Sequence, residues 1–180
     1  MKRILIAVMS FLFLVGCTTA TNASTPSKVV ENLMTKYKTL DKDVINQLDK
    51  VVENEQITKK QKQEYKELIK KQYQNLTYKI KDETYDDNTA VVSIEIEVFN
   101  YAKAKDQTDM YVSGHESDFL DENKELSKIL YENYKIEQLK NVKERTKYTL
   151  DISLTKEDGK WRVDKLSDME RQKIHGLYNL

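Results

Sequence analysis

Between Ala90 and Phe99 the side chains alternate cleanly. Ala90, Val92, Ile94, Ile96 and Val98 fall on one face, and Val91, Ser93, Glu95, Glu97 and Phe99 on the other. A two-residue period turns every second side chain the same way, so this stretch predicts a long antiparallel strand with one buried and one wet face. Such a strand needs partners. Thr77 to Tyr85 supplies one, with Asp86-Asp87-Asn88 as the turn between them. Further on, Tyr148, Leu150, Ile152 and Leu154 alternate again. Asp158-Gly159 is a hairpin turn signal, and Trp161 and Val163 open the return strand.

Ahead of the first strand the period is helical. Pro26 behind Thr25 starts one helix, whose stripe is Val29, Val30, Leu33, Met34 and Tyr37. Asp41 caps a second, with Val44, Ile45, Leu48, Val51 and Val52 on one side. Thr58 and Gln61 form a capping box for a third, which presents Tyr65, Leu68, Ile69 and Tyr73. Between the two hairpins, Lys103 to Glu116 reads as a polar break. Ser117 to about Glu144 reads as one long helix carrying Phe119, Leu126, Ile129, Leu130, Tyr134 and Ile136. Ser167 with Glu170 caps a short terminal helix. The expectation is a single α+β domain over residues 28–180. Its N-terminal helices pack on a curved, cone-like antiparallel sheet, with a long helix between two hairpins.

The first 17 residues follow a different logic. Lys2 and Arg3 precede the apolar run Ile4 to Val15, broken only by Ser10, and the run ends in Leu14-Val15-Gly16-Cys17. Twelve helical residues span roughly 18 Å, short of a hydrocarbon core of about 30 Å, so the run suits a signal peptide better than a membrane span. The sequence at its end resembles the lipobox of bacterial lipoproteins. That resemblance implies a signal peptide over residues 1–16, cleavage before Cys17 and acylation of the Cys17 thiol, with two or three chains giving durable anchoring. Residues 17–27 then form the lipidated Cys and a small, polar tether, with a reach on the order of 15–20 Å.

Cleavage would leave 164 of the 180 residues, with 28 basic against 30 acidic side chains. A near-neutral balance gives no electrostatic footprint for nucleic acid. Cys17 is the only cysteine, so no disulfide supports the domain.

The helical start, the strand around Tyr78-Lys79-Ile80, the turn followed by Thr89-Ala90-Val91-Val92, and the closing Asp158-Gly159-Lys160-Trp161 resemble the nuclear-transport-factor-two-like superfamily. They are similar in particular to uncharacterised domains of exported lipoproteins from low-GC bacteria. The resemblance spans about residues 28–166. It implies helices covering a strongly bent sheet, in a fold that serves isomerases, dehydratases and pure binding modules alike.

No residue carries a distinctive catalytic spacing. Glu95 and Glu97 lie on the strand face expected to meet water. His115 and His175 stand 60 residues apart without a short-range ligand partner, unlike a zinc site. His115 falls in the polar break, and His175 is expected at the surface or near a helix C-terminus. Asp106, Asp109, Asp118, Asp121 and Glu122 lack the alternate spacing of a calcium loop. There is no G-x-S-x-G and no Gly-rich phosphate loop.

No cofactor or metal is therefore expected. Tyr37, Tyr65, Tyr73, Tyr78, Tyr148 and Trp161 either line an aromatic pocket with polar tips or fill a lean core. The residues singled out for ligand binding are Tyr78, Tyr148, Trp161 and His115. The expected function is that of a membrane-anchored, extracytoplasmic, non-enzymatic module that binds an envelope protein or a small ligand. The alternative is an extracytoplasmic enzyme of the isomerase or dehydratase kind, with His115, Tyr78 or Tyr148 acting in the cone.

Overall fold

The computed structural model describes residues 24–179. The expected signal peptide and Cys17 lie outside the described residues. Helices α1 (Pro26–Lys38), α2 (Lys42–Glu53) and α3 (Lys59–Asn75) come first. Each begins where a short side chain can accept an otherwise unpaired N–H. The Lys28 N–H donates to Thr25 Oγ1 at 3.2 Å and the Asp43 N–H to Asp41 Oδ1 at 3.0 Å. At Thr58 the capping box is complete in both directions. The last residues of the expected tether, Thr25 to Ser27, thus belong to the start of α1. There the Ser27 N–H also donates to Glu83 Oε2 at 2.9 Å, fixing the helix end to the sheet.

Strands β1 (Thr77–Tyr85), β2 (Thr89–Phe99), β3 (Arg145–Glu157) and β4 (Lys160–Val163) form one antiparallel sheet in sequential order. The sheet is curved and does not close. One source of curvature is in β1, where the register steps from Ile80↔Ile94 to Asp82↔Ser93. Lys81 is the extra residue of this bulge, which bends the strand and moves Glu83 to the inner parity in place of Asp82. The β3–β4 turn places Asp158 at φ 49° and Gly159 at φ 74°, the paired left-handed conformation that a two-residue hairpin requires.

Across β2 and β3 the inner face is apolar. Ala90, Val92, Ile94, Ile96 and Val98 of β2 join Tyr148, Leu150, Ile152 and Leu154 of β3. They meet Val30, Met34 and Tyr37 of α1, Leu48 and Val52 of α2, and Ile69 and Tyr73 of α3. The outer face is wet, and there Glu95 sits between Lys81 at 3.7 Å and Lys147 at 3.3 Å.

The segment between the hairpins differs from the expectation. Tyr101–Gly114 is a helix, α4, where a polar break was expected, and α5 begins only at Lys128 and ends at Lys140. Between them lie a single 3-10 turn, Glu116–Phe119, and a small loop closed by a Leu120↔Leu126 bridge. Asp121 Oδ1 accepts from the N–H groups of Asn123 and Glu125, which halts the helix that the sequence pattern suggests. A second apolar cluster (Leu68, Tyr101, Ala104, Ile136 and Leu139) seats α4 and α5 against α3.

Helix α6 (Asp168–His175) returns to α3 and ends at Gly176, φ 72°. Gln72, fully buried on α3, holds this end. Its Nε2 donates to the Phe99 and His175 carbonyls at 3.0 Å each, and its Oε1 accepts from the Phe99 N–H at 2.8 Å.

Candidate binding cleft

Because α3 serves both clusters, the angle between its outer side and the α4–α5 pair leaves a cleft of about 270 Å³. Ile57, Leu139 and Leu177 give it an apolar floor, and Glu55, Tyr65, Lys105, Glu132, Lys135 and Gln172 supply polar atoms. The volume is at the small end of ligand pockets.

The charges come in pairs. On α5 the Lys135 ammonium lies 2.6 Å from Glu132, and their side chains are only 17% and 12% exposed, the most covered ion pair among the described residues. The same ammonium sits 5.3 Å from the Tyr131 ring centroid, a cation–π geometry. On α4, one turn apart, Lys105 donates to Asp109 Oδ2 at 2.6 Å. The Tyr131 hydroxyl donates to Asp109 Oδ1 at 2.5 Å, tying α5 to α4.

Burial works against the Asp109 charge, but the hydrogen bonds from Lys105 and Tyr131 outweigh it and hold the carboxyl below its usual range. Burial, and then the Asp109 carboxylate, push the Tyr131 phenol upward. Burial, helped by Glu55 and Glu132, does the same to Tyr65. Both phenols are protonated at neutral pH, and the Tyr131 hydroxyl serves as a hydrogen-bond donor to Asp109. The cleft offers two ammonium groups, two carboxylates and a phenol around hydrocarbon, an arrangement that can hold a small dipolar molecule.

The residues singled out from the sequence do not meet in this cleft or in any other. His115 is exposed. Its ring stacks on Tyr111 with centroids 4.1 Å apart, and its Nδ1 lies 2.9 Å from the Tyr111 carbonyl. Tyr78 is half-buried against the main core. The Tyr148 hydroxyl donates to the Tyr178 carbonyl at 2.6 Å, beside a shallow depression that includes Asp106 and Asn179. Trp161 packs edge-on against Tyr85 at 6.5 Å, near the start of α1.

Of the wider aromatic set, Tyr37 and Tyr73 pack edge to face at 4.9 Å inside the main core, and Tyr65 alone reaches the cleft. Burial pushes Tyr37 up to about 12 and raises Tyr73 further. His175, expected at the surface or near a helix C-terminus, is the last residue of α6, and its ring is turned inward. Its Nε2 lies 2.8 Å from the Tyr73 hydroxyl, and burial, with the nearby Arg171 charge, lowers it to about 4.

Lys105, Glu132 and Lys135 are the functional candidates that reading the sequence missed. The Glu132/Lys135 spacing of three residues falls inside the helix that the sequence predicts, and the Lys105/Asp109 spacing of four would have paired those two once a helix was assigned there. Among the described residues no group of three or more His, Cys, Asp or Glu side chains is placed to hold a metal ion, and no helix is long and apolar enough to cross a membrane. Compared with known proteins, the chain matches no family model, no curated sequence and no solved structure.

Proposed function

We propose that this chain is a lipid-anchored, extracytoplasmic binding protein of nuclear-transport-factor-two-like design. In this reading Cys17 carries the lipid, and the cleft between α3, α4, α5 and α6 receives a small zwitterionic solute with an apolar part, such as an apolar amino acid or a dipeptide. The observation that carries the binding role is the contrast between two surfaces. The concave side of the sheet is filled by hydrocarbon from Val92 to Tyr148, whereas the cleft beside α3 keeps matched charges over an apolar floor. Opposite charges already paired at 2.6 Å leave little net field, so a ligand bearing both signs gains more than one bearing a single charge. An isomerase or dehydratase would need an acid or base facing a closed cavity on the concave side. The β2 and β3 side chains there are apolar, Glu83 on the edge strand accepts from the Ser27 N–H, and the Tyr148 hydroxyl is already committed to Tyr178. The anchor is supported by Leu14-Val15-Gly16-Cys17 behind Lys2, Arg3 and the apolar run.

The test has two arms. Growth of an expressing bacterium on an alkyne-tagged palmitate should label the wild-type chain, while Cys17→Ser should lose the label and leave uncleaved precursor. Normal labelling and processing of that variant would remove the anchor from the proposal. Titration of the full chain with a panel of amino acids and dipeptides, read by Tyr fluorescence, should find saturable binding that Lys135→Met weakens about tenfold. Binding insensitive to both Lys135→Met and Tyr65→Phe, or turnover of any ligand dependent on them, would replace this reading.

A further inference from the structure

Six of the ten large hydrophobic side chains that stand exposed among the described residues fall between Met110 and Leu130. Four of them form one patch. Leu120 and Leu126 are paired across the small loop, Leu126 lies two residues ahead of α5, and Ile129 and Leu130 stand exposed in the first turn of that helix. Their exposures are 38%, 56%, 55% and 41%, and they fall close together in sequence, whereas the exposed Val51, Tyr85, Val91 and Met169 are scattered singly over other elements. An apolar patch of this kind with a polar rim marks an interaction surface.

The rim has a definite sign. Residues 114–130 carry Glu116, Asp118, Asp121, Glu122 and Glu125 against only Lys124 and Lys128. Elsewhere acidic side chains commonly pair with lysine or arginine, as Glu95, Glu132 and Glu144 do. None of these five makes an ion pair with a described residue. Asp121 spends one oxygen on the loop N–H groups, and Asp118 accepts from Ser117 at 3.4 Å. Unpaired carboxylates around exposed leucines are complementary to one chemistry, a segment with hydrocarbon along one side and ammonium or guanidinium groups along its flanks. The same rim repels an anionic bilayer, which an apolar patch alone would not.

We propose that the corner formed by Leu120, Leu126, Ile129 and Leu130 docks a basic amphipathic helix of a partner protein. The leucine side of that helix covers the patch, and its lysines or arginines meet Asp118, Glu122 and Glu125. This surface is separate from the cleft beside α3, and the proposal does not depend on what the cleft holds.

The probe is a synthetic 18-residue helix of leucine and lysine with one apolar side, labelled with a fluorophore. It is titrated into the full chain reconstituted in neutral phosphatidylcholine vesicles. A scrambled peptide of the same composition, lacking the apolar side, is the control. The amphipathic peptide should bind, and the scrambled one should bind at least about tenfold more weakly. Leu126→Ser with Ile129→Ser should reduce binding about tenfold or more. Glu122→Gln with Glu125→Gln should weaken it severalfold and flatten its salt dependence. Both variant pairs lie on exposed positions, so each should retain the wild-type urea midpoint, and either alone suffices if the other fails to fold. Equal binding of the two peptides, no binding, or binding unchanged in both variants would overturn the proposal. So would protection of the Leu126–Leu130 amides by phosphatidylglycerol vesicles alone, which would assign the patch to a membrane. Self-association lost in Leu126→Ser would assign it to a second copy of this chain.

Discussion

Gly159 and Gly176 have nearly the same left-handed φ, 74° and 72°, yet they answer to different constraints. At Gly159 a Cβ would meet open space. At Gly176 it would overlap both the Gln72 amide and the Phe99 carbonyl oxygen. Gly159→Ala therefore carries only the conformational penalty of an L residue at positive φ, about 1 kcal/mol. Gly176→Ala adds a collision with backbone and with a buried side chain that makes three hydrogen bonds, for a cost on the order of 3 kcal/mol or more. Urea denaturation of the two variants should separate them clearly, and equal midpoints would mean that Gln72 does not hold the α6 end tightly. Gly159 was legible, because Asp-Gly between alternating segments is a hairpin signal. Gly176 and Gln72 were not, since a buried glutamine at a helix–strand–helix junction has no local pattern. Its partners are 27 and 103 residues away.

Among the elements, legibility followed the strength of local chemistry. Helices α1, α2, α3 and α6 each open on a Thr, Asp or Ser cap that both the sequence and the hydrogen bonds reveal. Helix α4 was hidden because after Tyr101 its buried stripe is made of small or weakly apolar residues, Ala104, Thr108 and Val112, and its cap, Asn100, directly follows the strand that ends at Phe99. The cleft was hidden with it, since Lys105 belongs to α4. Helix α6 carries an element-scale prediction through His175. Its ring is neutral in the folded protein down to about pH 4, whereas in the unfolded chain it takes a proton near pH 6.5. The unfolded state thus binds the proton first as pH falls. The stability that α6 draws from a neutral His175 against Tyr73 is complete above about pH 6.5. It is lost progressively as pH falls from there to about 4, by about 2–3 kcal/mol in all. The difference in urea midpoint between wild type and His175→Gln, followed from pH 7.5 to 4, isolates this contribution from the carboxylates common to both. A difference that does not change with pH would show that the ring is already hydrated in the folded state.

On the scale of the whole molecule, two apolar clusters of unequal size share α3. The cluster on the sheet has nineteen buried side chains, and the one under α4 and α5 has five. Buried apolar area sets the free energy of local opening, so the α4–α5 pair should detach from α3 before the sheet unfolds. The polar ties across this joint, Gln61 to the Ile129 carbonyl and Asn133 and Lys140 to Glu64, are partly wet and do not equalise the two regions. Native-state hydrogen exchange should then show amides of α4 and α5 opening at a free energy well below that of β2 and β3. Leu139→Ala should lower the first by roughly 2–3 kcal/mol while moving the second much less. Leu139 and Lys135 also line the cleft, so a ligand that bridges α3 and α5 must favour the closed form, and it raises the opening free energy by RT ln(1 + [L]/Kd). The ligand-dependent protection should therefore concentrate in α4 and α5 and leave the sheet amides nearly unchanged. Uniform protection of both regions would instead mean that the two clusters open together and that the cleft is no weaker than the core it rests on.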